Sequence, residues 1–115
     1  MWNVLATAEF GRWFGGQDDD AKEEIAIVLE LLRAKGPQLS RPYADTLKGS
    51  RYSNMKELRI GAKLLAIRIV FAFDPKQNAI LLVAGDKRGV SEKLFYRKLI
   101  AKADDLYTQY LRGAP

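Results

Sequence analysis

The sequence predicts an α+β fold: a small, largely antiparallel sheet with an N-terminal helical hairpin and a C-terminal helix, in the order β-α-α-β-β-β-α. Three observations carry this. Residues 64–73 (LLAIRIVFAF) alternate strictly, with bulky Leu65, Ile67, Ile69, Phe71 and Phe73 on one parity and smaller residues plus Arg68 on the other. That two-residue period is a strand signature. Residues 54–60 (NMKELRI) alternate as well and run into Gly61-Ala62-Lys63, which reads as a tight hairpin connection. Beyond Ser91, Phe95, Leu99, Ala103, Leu106 and Tyr110 recur at helical spacing as far as about Leu111, an apolar stripe on one helix face.

The remaining elements follow in chain order. Residues 2–6 (WNVLA) form a short opening strand, and Thr7 is a good N-cap for a first helix through Phe14, which Gly15-Gly16 ends. Asp18, Asp19 and Asp20 crowd the start of a second helix, where acids favour the positive end of the dipole. Its Ile25, Val28, Leu29, Leu31 and Leu32 form one broad stripe, and Gly36-Pro37 stops it. The loop over residues 36–53 carries Pro37, Pro42 and the basic tail KGSR with Lys48 and Arg51. After the hairpin come a turn at 74–78, a final strand at 79–84 and the turn GDKRG at 85–89, with Lys87 and Arg88 at its tip. That turn is too short, and lacks the spaced glycines, to cradle phosphates as a P-loop does.

At 115 residues the chain is expected to be one domain spanning 1–115. It has no membrane-length apolar stretch and no basic, secretory-type start. Zero cysteines exclude disulfides and thiolate metal sites and fit a reducing cytoplasm. Zero histidines remove the usual general acid/base and the commonest metal ligand. Any catalysis therefore falls to carboxylate, Lys, Arg or Tyr. The net charge of +5 is uneven: residues 1–47 hold 5 basic against 8 acidic side chains, and residues 48–115 hold 14 against 6. From Lys48 to Arg68 there are six cations (Lys48, Arg51, Lys56, Arg59, Lys63, Arg68) and one acid, Glu57. Such a basic half points to a polyanionic partner, nucleic acid first, although many basic faces are simply solvated.

Arg68 is the oddity of the strand pattern. A hairpin loop of even length pairs positions of opposite parity, such as 59 with 64 or 57 with 66. Met55, Glu57 and Arg59 then share a face with Arg68, whereas an odd loop would reverse this. A guanidinium there, with little bulk around it, costs free energy unless an anion pairs with it. Two readings stay open: a cross-strand Glu–Arg pair on a half-solvated sheet, or a prepared anion site. Tyr96, beside the last helix's stripe, is either a core aromatic or part of such a site.

The motifs GPQLSRPYADTLKGSRYSNMKELRI, RIVFAFDP, LLVAGDKRG and FYRKLIAKADDLYTQYL, in that order, resemble the HigB-type, phage-protein-like branch of the RelE/ParE superfamily of toxins from toxin–antitoxin pairs. The resemblance spans essentially the whole chain. It implies a metal-free endoribonuclease, without cofactor, that cleaves mRNA on the ribosome. The 2′-hydroxyl attacks the adjacent phosphate, leaving a 2′,3′-cyclic phosphate and a 5′-hydroxyl. It also implies silencing by a cognate helix-turn-helix antitoxin, through which alone operator DNA would be contacted. Carried onto this chain, the resemblance matches the strand arginine to Arg68, the loop lysine to Lys87 with Arg88 beside it, and the aromatic to Tyr96, with Lys56, Glu57 and Arg59 on the KELR strand. Catalysis is then expected of Glu57, Arg59, Arg68 and Lys87, and RNA binding of Lys56, Arg88 and Tyr96, to which the run of basic residues adds Lys48, Arg51 and Lys63. Relatives with a catalytic histidine have no counterpart here, and Glu57 falls about where RelE places a lysine, so the general base is left open. Two alternatives are a ParE-like inhibitor of DNA gyrase and a non-catalytic, phage-related binding protein.

Overall fold

The computed structural model describes residues 1–113. In chain order the elements are β1 (Asn3–Ala6), α1 (Ala8–Gly15), α2 (Asp19–Lys35), β2 (Ala44–Thr46), β3 (Met55–Ile60), β4 (Ile67–Phe73), β5 (Asn78–Asp86) and α3 (Glu92–Leu111). The starts of α1 and α2 are fixed by side-chain caps, Thr7 as expected and Asp18 from the expected acidic cluster. The Asp18 carboxylate accepts from the Ala21 amide at 2.9 Å. Thr7 Oγ1 accepts from the Phe10 amide at 3.0 Å and donates to the Leu82 carbonyl at 2.6 Å. That second bond ties the start of α1 to the sheet.

The sheet runs β1-β5-β4-β3-β2, with β1 parallel to β5 and the other pairs antiparallel. Its α+β class and largely antiparallel sheet are as the sequence predicts. The short edge strand β2 was not foreseen. It lies in the loop over residues 36–53, where three residues are too few to show alternation, and it pairs Ala44 with Leu58 and Thr46 with Lys56.

The hairpin differs from expectation in length but not in parity. The connection is the six residues 61–66, not three, and β4 begins at Ile67 rather than Leu64. Arg59 therefore pairs with Arg68, and Glu57 with Val70. The cause is lack of partners: β3 ends at Ile60 and β5 at Asp86, so the apolar residues 64–66 have no neighbouring strand to join. Lys63 and Leu64 instead adopt left-handed backbone, φ 57° and 65°. Because the loop is still even, Met55, Glu57, Arg59 and Arg68 share one face.

Both faces of the sheet are covered. On one, Leu58, Ile60, Ile67, Ile69, Phe71 and Leu81 pack against Phe10 of α1 and Ile25, Val28 and Leu32 of α2. On the other, Met55, Val70, Ala72, Ile80, Leu82 and Val83 pack under Leu99, Ala103 and Tyr107 of α3. A bulge in β5 makes this possible. Val70 pairs with Val83 and Phe71 with Leu81, so Leu82 is the extra residue. Leu82 and Val83 thereby both face α3. The half-solvated face considered for Arg68 is thus corrected: α3 roofs it, and only the end toward Arg59 and Arg68 is left open.

Candidate functional site

At that open end, β3 and β4 set Arg59 directly across from Arg68, and β5 sets Gly85 on Arg68's other side. Gly85 has a steric reason to be glycine: a Cβ there would lie 3.0 Å from Phe95 Cε1. Its absence lets the first turn of α3 press onto the sheet and carries Tyr96, next to Phe95, over β3 and β4.

The four side chains interlock. Tyr96 Oη donates to Glu57 Oε1 at 2.7 Å and accepts from Arg68 Nε at 3.2 Å. Arg59 Nη1 donates to Glu57 Oε2 at 2.9 Å. Arg68 Nη1 donates to the Ile67 carbonyl at 2.9 Å, and Arg68 Nε lies 3.9 Å from Glu57 Oε1. Glu57 is 4% and Arg68 6% exposed, so the carboxylate is what makes two apposed guanidinium groups tolerable at such depth. Among the described residues no buried side-chain nitrogen or oxygen lacks a partner. Burial, then the bond to Glu57, push the Tyr96 phenol up, against an opposing pull from Arg68. Tyr96 is therefore a firm proton donor to Glu57, and its hydroxyl is engaged.

Arg68 Nη2 has no protein partner among the described residues. The residue lines a concavity of about 450 Å³ together with Arg41, Pro42, Tyr43, Arg59, Gly61 and Ala62. Three guanidinium groups thus border one opening. Arg41 and Tyr43 escaped the sequence reading: they sit in an irregular segment, and the only hint was a cation, a proline and an aromatic (RPY) together.

Lys87 joins this end of the sheet. Its amide donates to the Ala66 carbonyl at 3.0 Å, and its ammonium donates to Glu92 Oε1 at 2.8 Å. Lys87's hydrogen bond and charge hold the Glu92 carboxyl low, with Arg68 and Arg59 adding to the effect. The three cations thus all bear on the Glu92 carboxylate, although Lys87 is not among the residues that line the concavity of Arg59 and Arg68.

The other predicted contacts are dispersed. Arg88 is clamped on Asp86 and donates to the Leu64 carbonyl at 3.2 Å. Lys56 pairs with Phe71 on the sheet's other face, away from Arg68. Lys63 turns toward α2, 3.5 Å from both Asp20 and Glu24. Arg51 binds Asp105 at 3.0 Å, its amide donates to Asp104 at 3.0 Å, and the buried Asp104 also accepts from Ser50. That anchor lies eight residues along α3 from Tyr96, roughly 12 Å at the helical rise. Lys48 is exposed beside Gly49, which with Lys93 and Arg97 lines a separate shallow groove. No group of three or more carboxylates able to hold a metal ion occurs among the described residues.

The model of the phage-derived Gp49-like protein family matches residues 12–108. The chain belongs to that family. It is of the HigB type, as its relatives indicate. It is 41% identical over 100 residues to HigB2 of Mycobacterium tuberculosis, covering 86% of this chain but about half (49%) of that protein. It is 40% identical over 108 residues to HigB3 of the same organism, covering 94% and 92% of the two chains. The fold is that of the E. coli RelE toxin. A doubly substituted RelE in the free state superposes with a TM-score of 0.63 at 10% identity, over 88% of this chain and 95% of RelE. The isolated toxin gives 0.62 at 12%, over 86% and 100%. For this HigB-type chain, then, the resemblance read from the motifs and the fold read from the periodicities agree.

Proposed function

We propose that this HigB-type protein is the toxin of a toxin–antitoxin pair and a metal-free endoribonuclease that cleaves mRNA on the translating ribosome, in the cytoplasm. The observation that carries this reading is Arg68: a guanidinium almost wholly buried on a sheet face, with Nη2 unpartnered among the described residues and a concavity shared with Arg41 and Arg59. A group fixed in this way suits a phosphate whose charge grows during reaction, because preorganised donors need no rearrangement as the charge develops.

The proposed chemistry is transesterification. The 2′-oxygen attacks the neighbouring phosphorus, the bond to the departing 5′-oxygen breaks, and a 2′,3′-cyclic phosphate remains. Arg59 and Arg68 hold the equatorial oxygens. In the free protein Arg59 is occupied by Glu57. An arriving phosphate competes for that guanidinium and frees Glu57 Oε2 to accept the 2′-hydroxyl proton. Tyr96 keeps Oε1 aimed while this happens. Lys87, on the far side of Arg68, supplies a proton to the leaving 5′-oxygen, Glu92 being its resting partner. The partner that restrains this activity is a cognate helix-turn-helix antitoxin, which alone would bring the pair to operator DNA. A gyrase-poisoning role would make no use of the Glu57–Arg59–Arg68–Tyr96 network.

The test is incubation of the protein with programmed ribosomes, mapping fragment ends with and without a chelator. Fragments ending in 2′,3′-cyclic phosphate and 5′-hydroxyl, formed equally with chelator, are expected. Intact mRNA, or fragments with 3′-hydroxyl ends, would overturn the reading.

A further inference from the structure

Among the described residues, Tyr43 is the aromatic side chain that belongs to neither apolar core and to no aromatic pair. It is 42% exposed. Its backbone is nonetheless fixed: its amide donates to the Ser40 carbonyl at 3.0 Å, and its carbonyl accepts from the Arg59 amide at 2.8 Å. The ring is thus held by the β3 ladder at the rim of the concavity where Arg59 and Arg68 emerge. Tyr96, the aromatic that the resemblance assigns to RNA binding, has its hydroxyl tied to Glu57 and Arg68 and its ring edge-on to Phe95.

Arg41, two residues before Tyr43, is paired among the described residues only with Asp45, at 2.8 Å, and both side chains are exposed. An exposed ion pair of this kind contributes little to folding. Asp45 is held low by that bond to Arg41, helped by the Thr46 amide. Its carboxylate is a local competitor for whatever anion Arg41 would otherwise bind. The segment from Arg41 to Tyr43 therefore offers a flat apolar ring beside a lightly held guanidinium, both facing a cavity that already contains two more.

Resting on the ribonuclease reading above, we infer that Arg41 and Tyr43 form a nucleotide-binding wall: Tyr43 stacks on the base next to the scissile phosphate, and Arg41 takes an adjoining phosphate. Stacking is tolerant of base identity, because every base presents a π-face. The wall thus sets the position of the strand rather than its sequence. Asp45 tempers the wall, since it must release Arg41 when RNA enters.

Binding separates this from the chemistry. The probes are 2′-fluoro oligoribonucleotides, which lack the attacking hydroxyl, and a matched strand with abasic residues that keeps the phosphates, each measured free and threaded through programmed ribosomes. Tyr43→Ala should weaken binding of the base-bearing strand by about tenfold or more and leave the abasic strand unaffected, while Tyr43→Phe binds both as wild type does. Arg41→Ala should weaken both strands, and Asp45→Asn should tighten both. All four variants should melt near wild type. The inference is overturned, with the ribonuclease reading intact, if wild type binds and Tyr43→Ala binds the base-bearing strand equally well, or loses both strands alike. If wild type binds no strand in either setting, the ribonuclease reading falls and takes the wall with it.

Discussion

The Tyr96 hydroxyl donates to Glu57 at 2.7 Å across 39 residues of sequence, and this bond joins α3 to β3 at the floor of the site. Replacing Tyr96 with Phe leaves Glu57 Oε1 without its close donor and Arg68 Nε without its acceptor. We expect a loss of about 1–3 kcal/mol in stability, the range for stranding a buried polar group. Cleavage should fall as well, because Glu57 is no longer aimed. Urea unfolding alongside cleavage of programmed ribosomal mRNA checks both. Unchanged stability would show that the bond is not maintained in solution.

Arg68 separates structure from chemistry. In Arg68→Ala, Glu57 keeps its bonds from Tyr96 and Arg59, and the repulsion between two apposed guanidinium groups is gone. Stability should stay close to wild type while cleavage falls by about 10²–10³-fold, the scale for losing one preorganised donor. Arg68→Lys retains charge without the planar fork and should be folded and largely inactive. A thermal melt beside the cleavage assay decides the matter. A clearly lower melting temperature with cleavage retained would return Arg68 to a purely structural role.

The dependence of RNA binding on salt should be steep and countable. Each phosphate neutralised on a single strand contributes a slope of about −0.7 in log K against log salt, so three guanidinium contacts give a slope of about −2. Arg41→Ala should reduce the slope by roughly one such contact. A flat response for the wild-type protein would contradict the electrostatic account.

Away from the site, the turn after β4 predicts how the fold responds to acid. Burial alone would push the Asp74 carboxyl up, but bonds from Tyr110, from the Asn78 side chain and from the Asn78 and Lys76 amides bring it down to about 2. A depressed carboxylate contributes stability above its unfolded value, ordinarily about 3.9, and loses it as pH falls through its folded value. The urea midpoint should therefore drop between about pH 4 and pH 2, and Asp74→Asn should flatten that limb. Tyr110, pushed up to about 12 by burial and by Asp74, mirrors this. Its contribution holds below an unfolded value near 10 and fades as pH rises toward 12.

Much of the fold was legible because its elements are locally over-determined. Thr7 caps the first helix as expected, Asp18 of the expected acidic cluster caps the second, and Ser91 caps the third. Strict alternation located β3 and most of β4, and parity brought Glu57, Arg59 and Arg68 onto one face even though the loop length was misjudged. What was not legible depended on contacts distant in sequence. β2 exists because residues 56–58 offer it an edge. The burial of Arg68's face depends on a bulge at Leu82 and on the missing side chain at Gly85, neither of which disturbs a hydropathy pattern. Arg41 and Tyr43 reach the site only because β2 folds back along β3. Lys56 and Arg51 show the converse: their charge is evident in the sequence but their placement is not, one facing α2's side of the sheet and the other bound to α3.

Arg68 lies on β4, which is flanked by β3 and β5 and covered by helices on both faces. Amides in such a strand exchange with solvent only through the largest openings of the molecule, whereas edges and loops exchange through small ones. The guanidinium is thus mounted on a central, doubly covered strand, where opening is expected to be slow, while the Arg41–Tyr43 segment lies at the sheet's edge, where it is expected to be easier. An inhibitor gains nothing by trying to loosen the floor beneath Arg68. It acts most economically on the rim, and protection from hydrogen exchange on inhibitor binding should appear around residues 40–46 rather than in β4.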